Sequence, residues 1–399
     1  MFMEYSFDKS FAMKKYVMTD LSMAPAEAAD ASDVAALLGM AFGFTPTRSA
    51  EYLEHVGIDA FFVARVAGRP AACAALLDAR HRFGGGWVPA ANVAHVAIAP
   101  EARGRGLARP LVDALCAAAS SRGAAMVTLF ASARPVYRKC GFELAGSEMI
   151  YEADTLALPA WADLQFREVE AGDPAIRRAY DRKTSQEAGL LDRTDRHWRE
   201  LLRAPSHALR AYAAAGDLAV AYAIIDASDT DCLTIRDWHA ADLDAATGLL
   251  ALFGRFRSVY PRVRWHGGPH DDLVAAMPDK GWRIAHQEEW LARIADPKVA
   301  LERRGYVLRD GHLGLCIIAA DGTRSDIALE LSAGVPHVRE RSAGAPGLTL
   351  HAHTFATLFT GFRSASRLRR LGLVQGDDDA VRLADLAFGG PAPWLAEHV

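Results

Sequence analysis

The chain has 399 residues, of which 51% are hydrophobic and 24% charged, and its formal net charge is −4. This length exceeds what one hydrophobic core usually organises, so we expect a globular protein of two or three domains. The weakly acidic balance argues against a nucleic-acid-binding protein, which normally presents a basic face, and no apolar run has the length of a membrane span.

The first part of the chain predicts helices and strands in alternation. Residues 1–22 lack the continuous apolar core of a signal peptide and are interpreted as an N-terminal extension. Apolar residues then follow helical or strand-like spacing. The predicted elements are helices from residue 30 and around 50–55, a hairpin over 61–66 and 69–77, a strand over 92–99 after a break at 84–86, a helix over 107–123 and a strand over 126–130.

The second part repeats this order more weakly. It predicts a strand over 164–169, a helix over 196–202, a hairpin over 209–225 and a helix over 243–256. The turn after the apolar run 232–238 has no glycine-rich motif, so this copy is not expected to bind the same ligand. Strands over 315–319 and 327–331 and a helix-rich end then indicate a separate α+β domain.

The most informative motif is the turn between the strand 92–99 and the next helix, Arg103-Gly104-Arg105-Gly106-Leu107-Ala108. Its glycines let backbone approach a ligand, and the unpaired N–H groups that start the helix attract a phosphate-like anion. The turn fits neither a P-loop nor the Gly-x-Gly-x-x-Gly of dinucleotide-binding folds. It fits Arg/Gln-x-x-Gly-x-Gly/Ala at Arg103, Gly106 and Ala108, and so resembles the coenzyme A signature of the GNAT acetyltransferase superfamily.

A second candidate site element follows the strand 126–130. Pro135 suits the first turn of a short helix and Gly141 its end, which places Tyr137 near the end of the strand 92–99. Acetyl transfer to an amine needs a proton for the leaving thiolate and a donor that polarises the carbonyl. Tyr137 is the predicted general acid, and the backbone N–H of Val96 is the predicted donor if the strand is bulged there. His95 is a candidate general base, but its side chain lies on the face opposite Val96 only if the same strand is regular.

Three separated segments extend the resemblance to nearly the whole chain after residue 20. Residues 93–146, 290–306 and 358–368 resemble, in this order, the Eis (enhanced intracellular survival) family of GNAT N-acetyltransferases. The resemblance implies a mixed α/β chain of α+β class, with two GNAT-type mixed-sheet domains and a sterol-carrier-protein-like domain. The implied boundaries are 23–158 for the catalytic domain, 159–296 for a second copy without the coenzyme A motif, and 297–399 for the third domain.

The resemblance also implies the donor substrate, acetyl-CoA, and its contacts. These contacts fall on Val96, Ala97, Ile98, Arg103, Gly104, Arg105, Gly106, Leu107, Ala108, Arg109, Ser132 and Ala133. The chain end is expected to dock in the active site, where the terminal carboxylate of Val399 serves as base or anchor for the acceptor amine and Glu397 adds a second negative charge. Two residues of this chain differ from relatives in the family: Val399 stands where a terminal aromatic residue is common, and Phe130 where some members have histidine. The resemblance therefore leaves the identity of the acceptor open. A homo-oligomer, a hexamer by resemblance, is expected.

The leading hypothesis is an N-acetyltransferase that acts on a small cationic amine, aminoglycoside-like or polyamine-like. Two alternatives stay open: a lysine N-acetyltransferase acting on proteins or peptides, and a non-catalytic carrier that binds a lipid-like ligand in the third domain. The five cysteines have no Cys-x-x-Cys spacing, which indicates reduced thiols and a cytoplasmic protein. The pairs His266/His270 and His351/His353 lack a carboxylate or cysteine at ligand spacing, so no metal site is predicted.

Overall fold

A computed structural model describes residues 21–203, 208–217, 220–341 and 347–397. By internal contacts the chain divides into two compact units. One holds the chain up to Ala75 together with His95–Ala114, and the other holds Leu76–Ala94 and the chain from Leu115 onward. Helices and strands alternate as predicted, which confirms the mixed fold class. Within these described ranges, none of the helices is long and apolar enough to span a membrane.

The first segment, residues 21–154, contains every predicted element, but two strands are longer than predicted. Residues 84–86 do not break the chain; they form the turn of a hairpin, in which Gly84 and Gly85 adopt φ angles of 56° and 87°. The elements are β1 (Leu21–Pro25), α1 (Ala31–Phe42), α2 (Pro46–Val56), β2 (Phe61–Val66), β3 (Arg69–Phe83), β4 (Gly86–Ile98), α3 (Ala108–Ser121), β5 (Met126–Phe130), α4 (Arg134–Arg138) and β6 (Glu143–Asp154).

The first compact unit contains a small antiparallel sheet. Strand β1 pairs with β2, and β2 pairs with the beginning of β3. Helix α1 buries Val34, Leu37 and Leu38 and ends at Gly43, whose φ of 68° favours glycine. The start of α3 buries Leu111 and Val112, as the helical spacing of these apolar residues predicts.

The second segment, residues 155–294, contains two helices that the sequence analysis missed, α5 (Pro174–Gln186) and the four-residue α8 (Asp272–Ala275). Helix α5 presents Lys183 and Thr184 on its buried side, so its apolar stripe is too short to stand out. Asp173 caps it and Pro174 begins it, which is a start signal that the sequence does contain. The elements are β7 (Phe166–Val169), α5 (Pro174–Gln186), α6 (Asp195–Leu201), β8 (Leu209–Ala214), β9 (Ala221–Asp226), β10 (Cys232–Ala240), α7 (Leu243–Gly254), β11 (Arg262–Gly267), α8 (Asp272–Ala275) and β12 (Trp282–Ile294).

Strand β12 joins the two segments within the second compact unit. The strand order there is β4-β5-β12-β6-β11-β10-β9-β8-β7. Strand β12 pairs antiparallel with β5 from Trp290↔Phe130 to Ile294↔Met126, and with β6 along most of its length. The last strand of the second segment therefore lies between two strands of the first. Residues 290–294, which resemble the beginning of a linker in sequence, are part of this strand.

Trp290 is the centre of the packing around β12. Its side chain is fully buried, and its ring stacks on that of His81 at a centroid distance of 5.9 Å. The indole also covers Gly146 on β6, where an added Cβ would lie 2.5 Å from three atoms of the ring. Glycine at position 146 is therefore required by the close approach of the tryptophan.

The third segment, residues 295–397, has a five-stranded sheet of order β15-β14-β13-β16-β17. Only β13 and β14 were predicted, because the other strands are short or largely exposed. The segment begins with a helix capped by Asp296. The elements are α9 (Pro297–Arg303), β13 (Gly311–Ile318), β14 (Arg324–Ser332), β15 (Val335–Glu340), β16 (Gly347–His351), α10 (Ala352–Phe359), α11 (Ala365–Arg370), β17 (Val374–Gln375) and α12 (Asp378–Phe388).

We expect Gly146→Ala to lower the free energy of unfolding by about 2 kcal/mol, because the new methyl group overpacks the buried Trp290 ring. Urea denaturation followed by tryptophan fluorescence measures the change. Gly172→Ala is the matched control, since an added Cβ at Gly172 meets nothing within 4 Å. Equal unfolding midpoints for the two variants would contradict this account of the packing.

Candidate functional site

The predicted anion-binding turn lies in the first compact unit, between β4 and α3. Gly104 and Gly106 have φ angles of 74° and 82°, a conformation that strongly favours glycine. An added Cβ at either position would meet nothing within 4 Å, so the glycines are needed for backbone conformation rather than for packing inside the protein. The turn is exposed from Arg103 to Gly106, and its outer side is open to a ligand.

Guanidinium groups surround this turn. The side chains of Arg103, Arg105 and Arg109 are exposed. Arg103 donates from Nε to the carbonyl oxygen of Ile98 at 3.1 Å, and Arg109 Nε lies 3.6 Å from Asp113. Leu107 is buried beneath the turn and anchors it. Exposed N–H groups and positive charge at the start of a fourteen-residue helix form an arrangement suited to a phosphate-like anion.

The end of β4 is distorted next to this turn, as the Val96 prediction requires. His95 has a φ of 52°, which is rare for a residue with a Cβ, and the strand is therefore irregular immediately before Val96. The imidazole Nδ1 lies 2.8 Å from the Tyr52 hydroxyl, and the two rings are 4.4 Å apart between centroids. Ala97 is fully buried, while Val96 and Ile98 are half-buried. The residues predicted to bind the donor in this unit thus belong to one stretch of chain, from the end of β4 to the first turn of α3.

The other predicted donor and catalytic residues lie in the second compact unit. Ser132 and Ala133 are exposed in the turn that precedes α4, and Tyr137 is buried on that helix. Burial, together with Cys140, raises the pKa of Tyr137 to about 12. The phenol is therefore fully protonated at neutral pH and available as a proton donor, although it is a weaker acid than an exposed tyrosine.

Buried polar groups lie where the pairing of β4 with β5 ends. The parallel ladder stops at Asn92 and Thr128, while β5 continues to Phe130. Thr128 donates to the Asn92 side-chain oxygen at 2.7 Å, and His81 Nε2 lies 3.0 Å from the same oxygen. Burial lowers the pKa of His81, so its ring is neutral. The side chains of His81, Asn92 and Thr128 therefore stabilise the point where the β4/β5 pairing ends through hydrogen bonds between neutral groups.

The second copy of the fold has the opposite chemistry at the corresponding helix start. Helix α7 connects the two parallel strands β10 and β11, and the Asp242 carboxylate accepts a hydrogen bond from the Ala245 backbone N–H at 2.8 Å. Asp244 adds a second carboxylate to the first turn. These charges repel a phosphate, which supports the prediction that this copy does not bind coenzyme A in the same way.

The last described residues, 391–397, pack on the second unit. Backbone hydrogen bonds connect Ser147 N to Pro393 O at 3.1 Å and Leu395 N to Ser147 O at 3.0 Å. Trp394 and Leu395 are buried, and Glu397 accepts a hydrogen bond from Arg193. This segment is therefore docked rather than frayed. Val399, the predicted base or anchor, lies outside the described residues.

The structure corrects one expectation about metal ligands. His266, which was expected to lack a carboxylate neighbour, has its Nδ1 3.5 Å from the Glu148 carboxylate on the adjacent strand. The ligand atoms of Glu148, His286 and Glu288 also lie within 4.8 Å of one another, and Glu148 is buried. Sequence spacing missed this cluster because Glu148 lies on β6 and the other two members lie on β12, more than 130 positions further along the chain.

The sequence analysis also missed the buried charges beside the docked C-terminal segment. Asp237 on β10 and Lys183 on α5 lie with Arg193 beneath that segment. A lysine or an aspartate in an otherwise buried stretch was the available signal, because such side chains are almost never buried without a partner. Their partners are distant in sequence and could not be assigned.

Comparisons with known proteins agree with this domain order. Sequence models of an acetyltransferase (GNAT) domain match residues 22–145 and again 189–294, and a model of a sterol carrier protein domain matches residues 297–396. An uncharacterised N-acetyltransferase of Streptomyces avermitilis is 27% identical over 79% of this chain and 82% of its own length. N-acetyltransferase Eis of Mycobacterium tuberculosis is 26% identical over 77% of this chain and 79% of its own length.

Solved structures share the fold over almost the whole chain. A GCN5-related N-acetyltransferase from Anabaena variabilis has a TM-score of 0.88 and 26% identity, and covers 95% of this chain and 100% of its own. Eis1 from Mycobacterium abscessus has a TM-score of 0.77 and 20% identity over the same shares.

The fold and the matched domains define a GNAT N-acetyltransferase. With two GNAT domains followed by a sterol carrier protein domain, and with Eis enzymes among its relatives, the chain belongs to the Eis-type family of these acetyltransferases. It is therefore an enzyme rather than a non-catalytic carrier.

Proposed function

We propose that this enzyme transfers the acetyl group of acetyl-CoA directly to an amine of a small cationic acceptor, either aminoglycoside-like or polyamine-like. The observation that carries the proposal is the open turn at Gly104 and Gly106, ringed by exposed arginines, in a chain of the GNAT family. We also infer a cytoplasmic homo-oligomer, a hexamer by resemblance to the family.

In this proposal the donor is held mainly by backbone. The pyrophosphate of acetyl-CoA accepts hydrogen bonds from N–H groups of residues 104–109, and Arg103, Arg105 and Arg109 contribute positive charge. The pantetheine arm runs along Val96, Ala97 and Ile98, with Ser132 and Ala133 as further contacts. The irregular backbone at His95 supports this assignment, because a distorted strand frees N–H groups from the sheet ladder.

The chemistry proceeds by attack of a neutral amine on the thioester carbonyl. The C–N bond forms, the C–S bond breaks, and the leaving thiolate takes the proton of Tyr137, while the Val96 N–H stabilises the carbonyl oxygen. The proton that the acylated nitrogen loses passes to water, and Tyr137 regains a proton from solvent, so that the products are the amide and free coenzyme A. With a Tyr137 pKa of about 12, full proton transfer to a thiolate of pKa about 8.5 is uphill by about 5 kcal/mol. Proton transfer is therefore expected to be concerted with C–S cleavage rather than to precede it.

The proposed acceptor is a cation because two carboxylates lie close together next to Ser147, the residue that pairs with the C-terminal segment. Glu148 is buried on β6 and lies directly opposite Glu288 on β12. Like charges opposed across a ladder are unfavourable unless a cation or a proton compensates them. We propose that the terminal carboxylate of Val399 orients the ammonium and passes its proton to water, since a carboxylate of pKa about 3.3 is a weak direct base.

Thiol release from acetyl-CoA across a panel of amines tests the proposed function. We expect polyamines and aminoglycosides to be acetylated with a larger kcat/KM than lysine peptides, because a peptide carries less positive charge to meet the carboxylates. Mass spectrometry of the products identifies the acetylated amines. If lysine peptides react orders of magnitude better than the small amines, the enzyme is a protein lysine acetyltransferase instead.

We expect Tyr137→Phe to lower kcat about a hundredfold, because the variant cannot protonate the leaving thiolate. The KM for acetyl-CoA should change little, since the phenol is proposed to act only on the reacting sulfur. Steady-state kinetics at saturating acceptor measure both constants. Phe142→Leu is the control for packing. The Phe142 ring lies against the Tyr137 ring, with 6.3 Å between the centroids, so this variant disturbs the packing of Tyr137 and keeps its hydroxyl. A kcat for Tyr137→Phe equal to that of the wild type would remove the general-acid role.

We expect Gly106→Ala to weaken coenzyme A binding about tenfold, because a side chain strains the backbone at a φ of 82°. Isothermal titration calorimetry with coenzyme A measures the affinity. Gly68→Ala is the matched control: Gly68 has a φ of 76°, lies between β2 and β3, and likewise has open space where a Cβ would be added. Equal affinities for the two variants would show that the turn does not hold the donor.

A further inference from the structure

A buried arginine pairs with the C-terminal segment. The Arg193 side chain is 1% exposed, and its Nη1 donates to Asp237 Oδ2 at 2.5 Å. Its Nε donates to Glu397 Oε1, also at 2.5 Å. The residues of these two pairs are 44 and 204 positions apart in the sequence. One guanidinium therefore connects the second GNAT copy to a residue two positions before the end of the chain.

Glu397 balances the charges of the group that Arg193 forms with Lys183 and Asp237. Lys183 is also buried, with its Nζ 3.6 Å from Asp237 Oδ1, so two cations share one internal carboxylate. His81, His197 and His266 interact electrostatically with Glu397, but burial lowers the pKa of each, to about 4 for His197, and they are neutral at pH 7. Without Glu397 the group has one excess positive charge, and a buried unpaired charge is strongly unfavourable.

Asp237 is held in its ionised form, which the charge balance around Arg193 requires. Burial raises the pKa of Asp237, but the positive charges of Arg193 and Lys183 lower it by more, so that the pKa lies below its usual value. The Tyr222 hydroxyl donates to Asp237 Oδ2 at 2.7 Å. The Arg193 guanidinium lies 3.9 Å from the centroid of the Tyr180 ring and 5.0 Å from that of Trp198. Arg193 is therefore fixed by groups of the second copy and presents Nε to the C-terminal segment.

A second anchor fixes the same segment a few residues earlier. Trp394 donates from Nε1 to Glu187 Oε2 at 3.0 Å, and its backbone N–H donates to Ala188 O at 2.9 Å. A Cβ at Gly189 or Gly268 would lie within 3 Å of Trp394, so both glycines make room for it. With Trp394 at one end and Glu397 at the other, the segment has a defined direction.

We propose that Arg193 is a positioning residue, which binds Glu397 so that the segment 391–397 is held in the place where it supports binding of the acceptor amine. This inference rests on the proposed function, in which the terminal carboxylate orients that amine. Arg193 itself contacts neither donor nor acceptor in this scheme. It also changes the expected role of Glu397: one carboxylate oxygen is occupied by the guanidinium, so its charge compensates Arg193 rather than the acceptor.

The test is Glu397→Gln in the full-length enzyme, which keeps the shape of the side chain and removes its charge. We expect kcat/KM for the acceptor to fall about tenfold or more, because a charge-assisted hydrogen bond is replaced by a neutral one, while the KM for acetyl-CoA changes less than about twofold. Glu397→Asp, which keeps the charge, should recover part of the loss. If Glu397 had a purely structural role, the variant would lose thermal stability, and the kinetic constants for acceptor and acetyl-CoA would not change by different factors.

Arg177→Met is the matched control. Arg177 also lies over the Trp198 ring, at 5.4 Å, but its partner Asp195 is exposed and belongs to no buried group. We expect wild-type kinetics for both substrates. A loss in Arg177→Met equal to that in Glu397→Gln would assign the effect to packing around Trp198 and overturn the proposal.

Digestion with a carboxypeptidase, followed by intact-mass measurement, reports on the anchor without any activity. We expect trimming of the wild type to stop at Glu397, and trimming of Glu397→Gln to continue through residue 395. If the wild type acetylates no amine, the proposed function fails, yet this measurement still tests the anchor. Equal trimming of the two proteins would overturn the proposal, and so would faster trimming of Glu397→Gln with unchanged acceptor kinetics.

Discussion

The pairing of β12 with both β5 and β6 is the constraint on which the second compact unit depends. Strand β12 belongs to the second GNAT copy in sequence, yet it completes the sheet of the first. Hydrogen-bonding groups along β5 and β6 would be left without partners in its absence, and unpaired buried backbone is strongly unfavourable. The two copies are therefore one cooperative structure in this region, and neither can be removed without exposing strand edges inside the other.

The same arrangement prepares the surface on which the C-terminal segment docks. Trp290, the residue of β12 that covers Gly146, fixes β6 next to Ser147, and Ser147 provides the backbone groups that bind Pro393 and Leu395. The segment thus depends on a strand contributed by the second copy and on a glycine of the first. A segment fixed in this way can serve in a site, because its conformational entropy is already lost on folding rather than on substrate binding.

Local sequence patterns predicted much of the fold. The features that were missed depend on contacts between residues that are distant in the sequence. The Arg103–Ala108 turn, α3 and β5 were predictable because glycine conformation and apolar spacing act over a few residues. The insertion of β12 was not, since residues 290–294 have the same local pattern whether they pair with β5 or connect two domains. Asp237 and Glu397 each require Arg193 as a partner, across 44 and 204 residues, and a single sequence does not contain that information.

The two GNAT copies differ in the charge at the start of the helix that connects their parallel strands. Each has a helix that connects two parallel strands, and each has an irregular strand, at His95 in the first copy and between Ile235 and Asp237 in the second. The first leaves its helix start open and basic. The second closes its helix start with Asp242 and places Asp237, at its irregularity, against Arg193. The Asp242 carboxylate repels a phosphate, whereas Arg193 attracts a carboxylate, and in this structure that carboxylate belongs to Glu397 of the C-terminal segment.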